Sequence, residues 1–385
     1  MSKHLILVGA GHAHMTVMLR LRDYVEAGHR VTVVSPSPYQ YYSGMGPGML
    51  SGIYRPQEAR FHVRKMIEDR GGTFLRDRVI RVEPDRRRVQ LEGGQALEYD
   101  VASFNTGSHV PAQSLMADQP SGVYPVKPVI NLLKAGRLLA ESMADRPPRV
   151  VVVGGGPAGV EVAGNAWRRF ADAGVEPRIT LIGGRGLLNR LPERAGRLAR
   201  ESLAERGIDI LSGKAVRKIS ASKVTLEDGE VLASDLTLIA TGTRPSSLFK
   251  DSGLQVGADD GLLVNAFLQS VDFPEIFGGG DCVTLRGADV AKVGVYAVRQ
   301  NPVLHNNLLA VLSGGRMKPF EPQAHYLLVL NMGDGTGVLT KYGIALDGRL
   351  MFRFKNHLDR SFMGRFQVSG ELEEPFDESE LEGGR

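Results

Sequence analysis

A single cysteine, Cys282, stands in a chain of 385 residues. One thiol excludes an intrachain disulfide, a redox-active pair, and any cysteine-built zinc or iron–sulfur site. Long apolar runs are missing too, for none approaches the roughly 20 residues a spanning helix needs. At the N-terminus Lys3-His4 leads into Leu5–Val8, and Gly9 cuts that run too short for a secretory leader. The expected location is the cytoplasm, with peripheral contact to the inner face of a membrane left open. An excess of one charge is also absent. The net charge of +4 is spread along the chain, and its densest basic run is only Arg86-Arg87-Arg88, so no nucleic-acid partner is expected. His12 and His14 have no nearby carboxylate and make a poor ligand pair, so no metal is expected either.

What is present is apolar patterning interrupted by glycine. A hydrophobic share of 42% is enough for two or three cores. Leu5-Ile6-Leu7-Val8-Gly9-Ala10-Gly11 is echoed by Val150-Val151-Val152-Val153-Gly154-Gly155-Gly156. Each is a buried-strand pattern opening through glycines into a helix-compatible stretch. A second echo runs at a constant offset of 135 residues: Val89, Leu91, Glu92, Gly94, Leu97, Asp100, Thr106 and Gly107 match Val224, Leu226, Glu227, Gly229, Leu232, Asp235, Thr241 and Gly242. Both segments predict a hairpin, turning at Gly93-Gly94 and Asp228-Gly229, then an apolar strand ending in Thr-Gly.

Each unit therefore runs strand, glycine turn, helix, strand, helix, hairpin, strand. The expected fold class is α/β, with two Rossmann-like (three-layer ββα) dinucleotide-binding domains, the second inserted in the first, plus a small α+β C-terminal domain. The boundaries read as 1–112 and 247–316 for the first domain, 113–246 for the second, 317–370 for the C-terminal domain and 371–385 for a tail. The C-terminal domain should turn at Gly333–Gly337 and Asp347-Gly348 and end in a helix over Asn356–Phe366. The tail carries seven acidic residues and little apolar matter, and reads as solvated and mobile.

Gly154, Gly156 and Gly159 form a full G-x-G-x-x-G between a strand and a helix. The first glycine turns the chain, the second lets backbone approach a pyrophosphate, and the third lets helix and strand pack closely. The free N–H groups of the helix N-terminus complete such a site. In the first copy, Gly9 and Gly11 are followed by His14 where the third glycine belongs. That side chain implies either wider helix–strand spacing or an imidazole reaching toward phosphate. Both copies lack the acid that usually bonds an adenosine ribose. Ser35 stands there in the first, and Gly183-Gly184-Arg185 in the second. Without a carboxylate to repel a 2′-phosphate, Arg185 could pair with one, or be surface charge only.

These two glycine motifs, the Thr-Gly strand ends at Thr106-Gly107 and Thr241-Gly242, and the late Gly280-Asp281 together resemble the pyridine nucleotide–disulfide oxidoreductase superfamily over residues 3–315. The resemblance implies FAD in the first domain and NAD(P)H in the second. It also implies that Asp281 accepts hydrogen bonds from the flavin's ribityl chain. The superfamily's dithiol branches need cysteines that this chain lacks, and so do sulfide:quinone reductases. What remains is similar to the type II NADH:quinone oxidoreductases, which implies hydride transfer from nicotinamide to flavin and onward to a quinone-type small acceptor. Glu161, in the helix after Gly159, is implied to lie near the nicotinamide; otherwise it is an exposed first-turn acid. Ser35–Tyr39, Tyr42–Gly48 and Phe354–Arg360 resemble a narrower flavoprotein subfamily found fused to, or beside, selenophosphate synthetase. One departure is visible: the quinone reductases' Ala-Gln pair falls at Gly294-Val295, and Gln300 is the amide that could compensate.

Ser43, Gly44, Thr106, Lys127 and Gln300 are the expected flavin surroundings. Lys127 either stabilises anionic reduced flavin or is an exposed linker residue. Leu358, Phe362 and Phe366 share a helix face flanked by Arg360 and Arg365, which fits a membrane surface, its own sheet, or the mate in a homodimer. Two other functions stay open: a reductase of a small redox protein, and a low-turnover redox sensor.

Overall fold

The computed structural model describes residues 1–116, 120–142 and 146–382. Two five-stranded parallel sheets organise it. The first has the order Ile276–Gly278, Val101–Phe104, His4–Val8, Arg30–Ser35, Thr73–Arg76. The second has the order Val123–Pro125, Leu236–Ile239, Val150–Val153, Ile179–Gly183, Ile208–Ser212. The sequence echo is thus a structural repeat, with one strand in each sheet, Thr73–Arg76 and Ile208–Ser212, that the periodicity did not reveal. The edge strand Ile276–Gly278 reaches the first sheet only after the whole second sheet has been made, so the second unit is an insertion. Where the chain crosses between units, His109 and Arg244 pair antiparallel through two backbone hydrogen bonds of 2.9 Å.

The central strands are apolar because both their faces are covered. Val150–Val153 are all buried, and full burial stabilises by about 1.5–3 kcal/mol per side chain of this size. Each sheet carries a three-stranded antiparallel meander, Val79–Glu83 with Arg88–Leu91 and Ala96–Glu98, and Val216–Ser220 with Lys223–Leu226 and Val231–Ala233. The turns at Gly93-Gly94 and Asp228-Gly229 fall between the last two strands of each.

The C-terminal region departs from expectation in two places. Its strands Leu328–Asn331, Gly337–Lys341 and Ile344–Gly348 are antiparallel neighbours. The second hairpin turns at Tyr342-Gly343, both at positive φ, not at Asp347-Gly348. Those two residues instead end a strand, and Gly348 (φ 112°) launches a helix over Arg349–Phe366, longer than the expected Asn356–Phe366. The acidic tail is not solvated along its length. Arg60 is completely buried and draws the tail back: it pairs with Glu380, with Glu374 at 3.4 Å, and with the Pro375 carbonyl at 3.3 Å. Tyr41 donates to Glu380 at 2.6 Å and the His62 amide to Glu371 at 3.0 Å. A buried guanidinium needs carboxylates, and the tail is where this chain keeps them.

Candidate functional site

The two glycine turns face one another across a cavity of about 2570 Å³. Gly9 (φ 84°) and Gly154 (φ 128°) each lie where a Cβ would come within 2.4 Å of a backbone oxygen, of Asn105 and Ala240 respectively. Gly11 and Gly156 follow in extended conformations and cap the next helical turns. A Cβ on Gly156 would meet nothing within 4 Å, so ligand can come close to the backbone there. A Cβ on Gly159 would stand 1.7 Å from the Gly154 carbonyl oxygen, which explains the third glycine. His14, at the matching position of the first copy, turns away from the cavity. Its Nδ1 lies 2.7 Å from the Gly9 carbonyl and its Nε2 2.8 Å from Ser103 Oγ. Burial pushes its pKa down to about 4, so the neutral ring donates to Gly9 and accepts from Ser103. His14 is a buried staple, and of the two readings open to it the imidazole reaching toward phosphate falls, because Ser103 supplies a partner that Leu238 cannot supply in the second copy.

Ser35, Ser43, Gly44, Thr106, Gly107 and Asp281 line the cavity on the first-domain side; Gly154, Gly156, Glu161, Arg185, Thr241 and Gly242 line it on the other. Lys127 is no free linker residue. Its Nζ lies 2.7 Å from Asp281 Oδ2 and 2.8 Å from Ser108 Oγ, and Ser108 donates to the same carboxylate at 2.7 Å. Burial works to raise the Asp281 pKa, but the Lys127 charge and these hydrogen bonds outweigh it and the net shift is downward. The carboxylate stays ionised and oriented, as an acceptor for sugar hydroxyls must be. The glycine cradles and this acceptor fit dinucleotides on both sides.

Gln300 does not reach the cavity wall. It is buried, and its Oε1 accepts from the Gly280 amide at 2.6 Å, so it positions the turn that carries Asp281. The helix Gly294–Ser313 begins where Gly294 and Val295 line the cavity, and Gln300 does not replace the pair missing there. Arg185 is exposed at the rim just past the strand end at Gly183. Cys282 is fully buried, its Sγ 3.3–3.5 Å from the Gly279 and Phe104 carbonyls, and burial raises its pKa. Cys282→Ser should therefore leave nicotinamide-dependent flavin reduction within about twofold of wild type in rapid-mixing experiments, because a buried lone thiol cannot run dithiol exchange.

At the far end of the cavity lies a charged cluster that sequence reasoning placed only in part. Glu161 is not in the first turn of its helix; it faces inward, and Oε1 accepts from the Asn331 amide at 2.8 Å. Burial pushes its pKa up to about 7, against the opposing charge of Lys355. Lys355, itself buried, donates to Asp359 Oδ2 and to the Gly44 carbonyl, each at 2.8 Å, and Tyr42 donates to Asp359 Oδ1 at 3.2 Å. Lys355, Asp359 and Tyr42 were missed as site residues. The available signal was that they lie in Tyr42–Gly48 and Phe354–Arg360, two segments already singled out as unusual, which meet here.

The profile of the pyridine nucleotide-disulphide oxidoreductase family matches residues 3–301. Among curated relatives, the demethylphylloquinone reductase NdbB of a Synechocystis strain is 28% identical over 299 residues, covering 74% of this chain and 72% of that protein. Ferroptosis suppressor protein 1 of Taeniopygia guttata is 26% identical, covering 73% and 74%. Among solved structures, NDH2 from Plasmodium falciparum in complex with NADH superposes with a TM-score of 0.80 at 16% identity, over 100% of this chain and 99% of that one. Among the described residues no helix is long and apolar enough to cross a membrane.

Proposed function

Because this chain belongs to the pyridine nucleotide-disulphide oxidoreductase family, we propose that it is an FAD-dependent NAD(P)H oxidoreductase that reduces a quinone without a redox disulfide. When bound, the two cofactors supply the hydride chemistry. The observation that carries the reading is the single cavity joining both glycine turns to a proton-bearing cluster, with no thiol on its walls. The first unit (1–112 with 247–316) takes FAD through Gly9, Gly11, Ser35, Thr106-Gly107 and Asp281; the second (113–246) takes NAD(P)H through Gly154, Gly156 and Thr241-Gly242. Lys127 holds Asp281 in its ionised form. Glu161 and Lys355 keep exchangeable protons where a quinone oxygen would need them, next to Tyr42 and Asp359.

The acceptor end has an apolar approach of its own. Leu350, Phe354 and Leu358 form an exposed stripe on the Arg349–Phe366 helix, beside exposed Ile344 and Leu346. Leu358 also lines the cavity. Phe362 and Phe366, expected on the same face as Leu358, pack inward against Phe61 instead. A stripe that runs from solvent to the cavity mouth suits a protein resting on the inner face of a membrane and drawing quinone from it. Leu350→Glu with Phe354→Glu should release the protein from anionic vesicles and leave reduction of a water-soluble quinone intact. A dimer that dissociates in this variant, with vesicle binding unchanged, would give the stripe to a second copy instead. The meeting of Tyr42–Gly44 with Lys355 and Asp359 favours the narrower resemblance to the selenophosphate synthetase-associated flavoproteins.

Steady-state assays with a soluble quinone, ferricyanide and a small iron–sulfur protein test the main reading. Fast turnover with quinone supports it; rapid flavin reduction with no fast acceptor would make the protein a sensor. Arg185→Ala should weaken NADPH more than NADH by roughly 1–3 kcal/mol, if a charge-assisted phosphate contact is lost. Equal losses in stopped-flow flavin reduction would reduce Arg185 to surface charge.

A further inference from the structure

Asn105 directly follows the strand Val101–Phe104 and is buried with 4% exposure. Its Nδ2 has no hydrogen-bond partner, and neither does Nε2 of His12 in the adjacent turn. Leaving a buried amide unpaired costs about 1–3 kcal/mol, so a native chain that does it keeps the group for something. The amide is held with little freedom. Positions for a Cβ on Gly11 and on Gly280 fall 2.6 Å and 2.7 Å from Asn105 Oδ1. Gly11 caps the helical turn at His12–His14, and Gly280 opens the turn at Gly280–Cys282. Asn105 therefore sits on the cavity wall between two turns that carry glycine backbone to the same place.

The structural repeat sharpens this. At the 135-residue offset Asn105 corresponds to Ala240, and both close the same glycine turn through their carbonyls. At this position the second copy thus offers a dinucleotide backbone alone, whereas the first adds a neutral, preoriented side-chain donor. Donors at such a turn meet the diphosphate. A resident cofactor must stay through many turnovers, and a nicotinamide dinucleotide must leave after each one. Resting on the reading that this unit binds FAD, we propose that the Asn105 amide donates to the FAD diphosphate and so makes FAD resident while the nicotinamide dinucleotide exchanges.

The test follows FAD release from the holoprotein by the rise in free-flavin fluorescence. Asn105→Ala should release FAD roughly 10-fold faster, the loss of one hydrogen bond to a charged acceptor. Ala240 demonstrates that this fold tolerates alanine at the position. Asn105→Asp keeps the shape but faces the diphosphate with a carboxylate, and should accelerate release by on the order of 100-fold or more. The affinity of ADP for the site, taken from competition with rebinding FAD and corrected for FAD's own loss, should fall strongly in Asn105→Asp because ADP carries the diphosphate, while that of adenosine should not. Wild-type retention of FAD in both variants would overturn the proposal, and so would equal weakening of ADP and adenosine, which marks a structural role. Wild-type protein that binds no FAD would overturn the functional reading itself, a result the variants cannot mimic.

Discussion

Lys355→Met should cost about 3–5 kcal/mol of stability in urea unfolding, the range for removing one partner from a buried charge cluster. Methionine fills the space but leaves Asp359 with only the Tyr42 hydroxyl, and leaves Glu161 without its neutralising charge. The pH dependence identifies the cause. Unfolded, Glu161 titrates near its ordinary value of 4.5; folded, it titrates at about 7. Between those values the folded chain holds a proton that the unfolded chain has released, so this group's stability is complete below pH 4.5 and is lost as pH rises through 7. Glu161→Gln should remove that decline, making its stability relative to wild type roughly 2 kcal/mol better at pH 8 than at pH 5, after allowing for water in the cavity mouth. In Lys355→Met the decline should move to higher pH, since the opposing charge is gone. Quinone reduction should slow far more than flavin reduction in both variants. A Lys355→Met protein with wild-type stability and an unshifted pH profile would mean that the cluster carries no net charge coupling.

The repeat was the most legible part of the fold, because buried parallel strands and obligatory glycines leave local signatures. Val150–Val153 and Gly154 announce a strand and a turn with no help from the rest of the chain. The strands Thr73–Arg76 and Ile208–Ser212 were not legible, being short sheet edges with partly exposed residues and no clear period. His14 shows how a motif position can mislead. Its type suggested a phosphate ligand, and only the distant Ser103 reveals it as a staple. Lys355 and Asp359 are four residues apart, a spacing shared by ordinary surface ion pairs; their burial depends on Tyr42 and Glu161, which lie in other units. Site residues brought together by tertiary packing have no local spacing to betray them. The tail failed for the same reason. Composition read its acids as solvated, and Arg60, the cation that recruits them, lies more than three hundred residues before Glu374 and Glu380.

That pairing leads to the other large effect. Glu374→Gln combined with Glu380→Gln should destabilise the protein by about 3–5 kcal/mol, because Arg60 would stay covered but lose both anions. The cover matters to the size of the loss. Phe376 lies against Arg60 and Arg137, with ring centroids 5.8 Å and 4.8 Å from the two guanidinium carbons, and the double substitution leaves it in place to exclude water. Ending the chain at Gly370 removes the same carboxylates but also uncovers Arg60, so water can solvate the cation. The charge penalty should then be smaller, partly replaced by the packing lost with Phe376, about 1.5–3 kcal/mol. Adding Arg60→Leu separates these effects. In the double-glutamine background it removes the uncompensated cation and should restore much of the lost stability, since a stranded buried charge costs more than the cavity left by the shorter leucine. On the wild-type background the same substitution should destabilise, because it strands Glu380 beside Tyr41 without its partner. Urea unfolding of these four variants decides the matter: if Arg60→Leu fails to rescue the double-glutamine protein, the tail is held by its packing and not by the buried guanidinium.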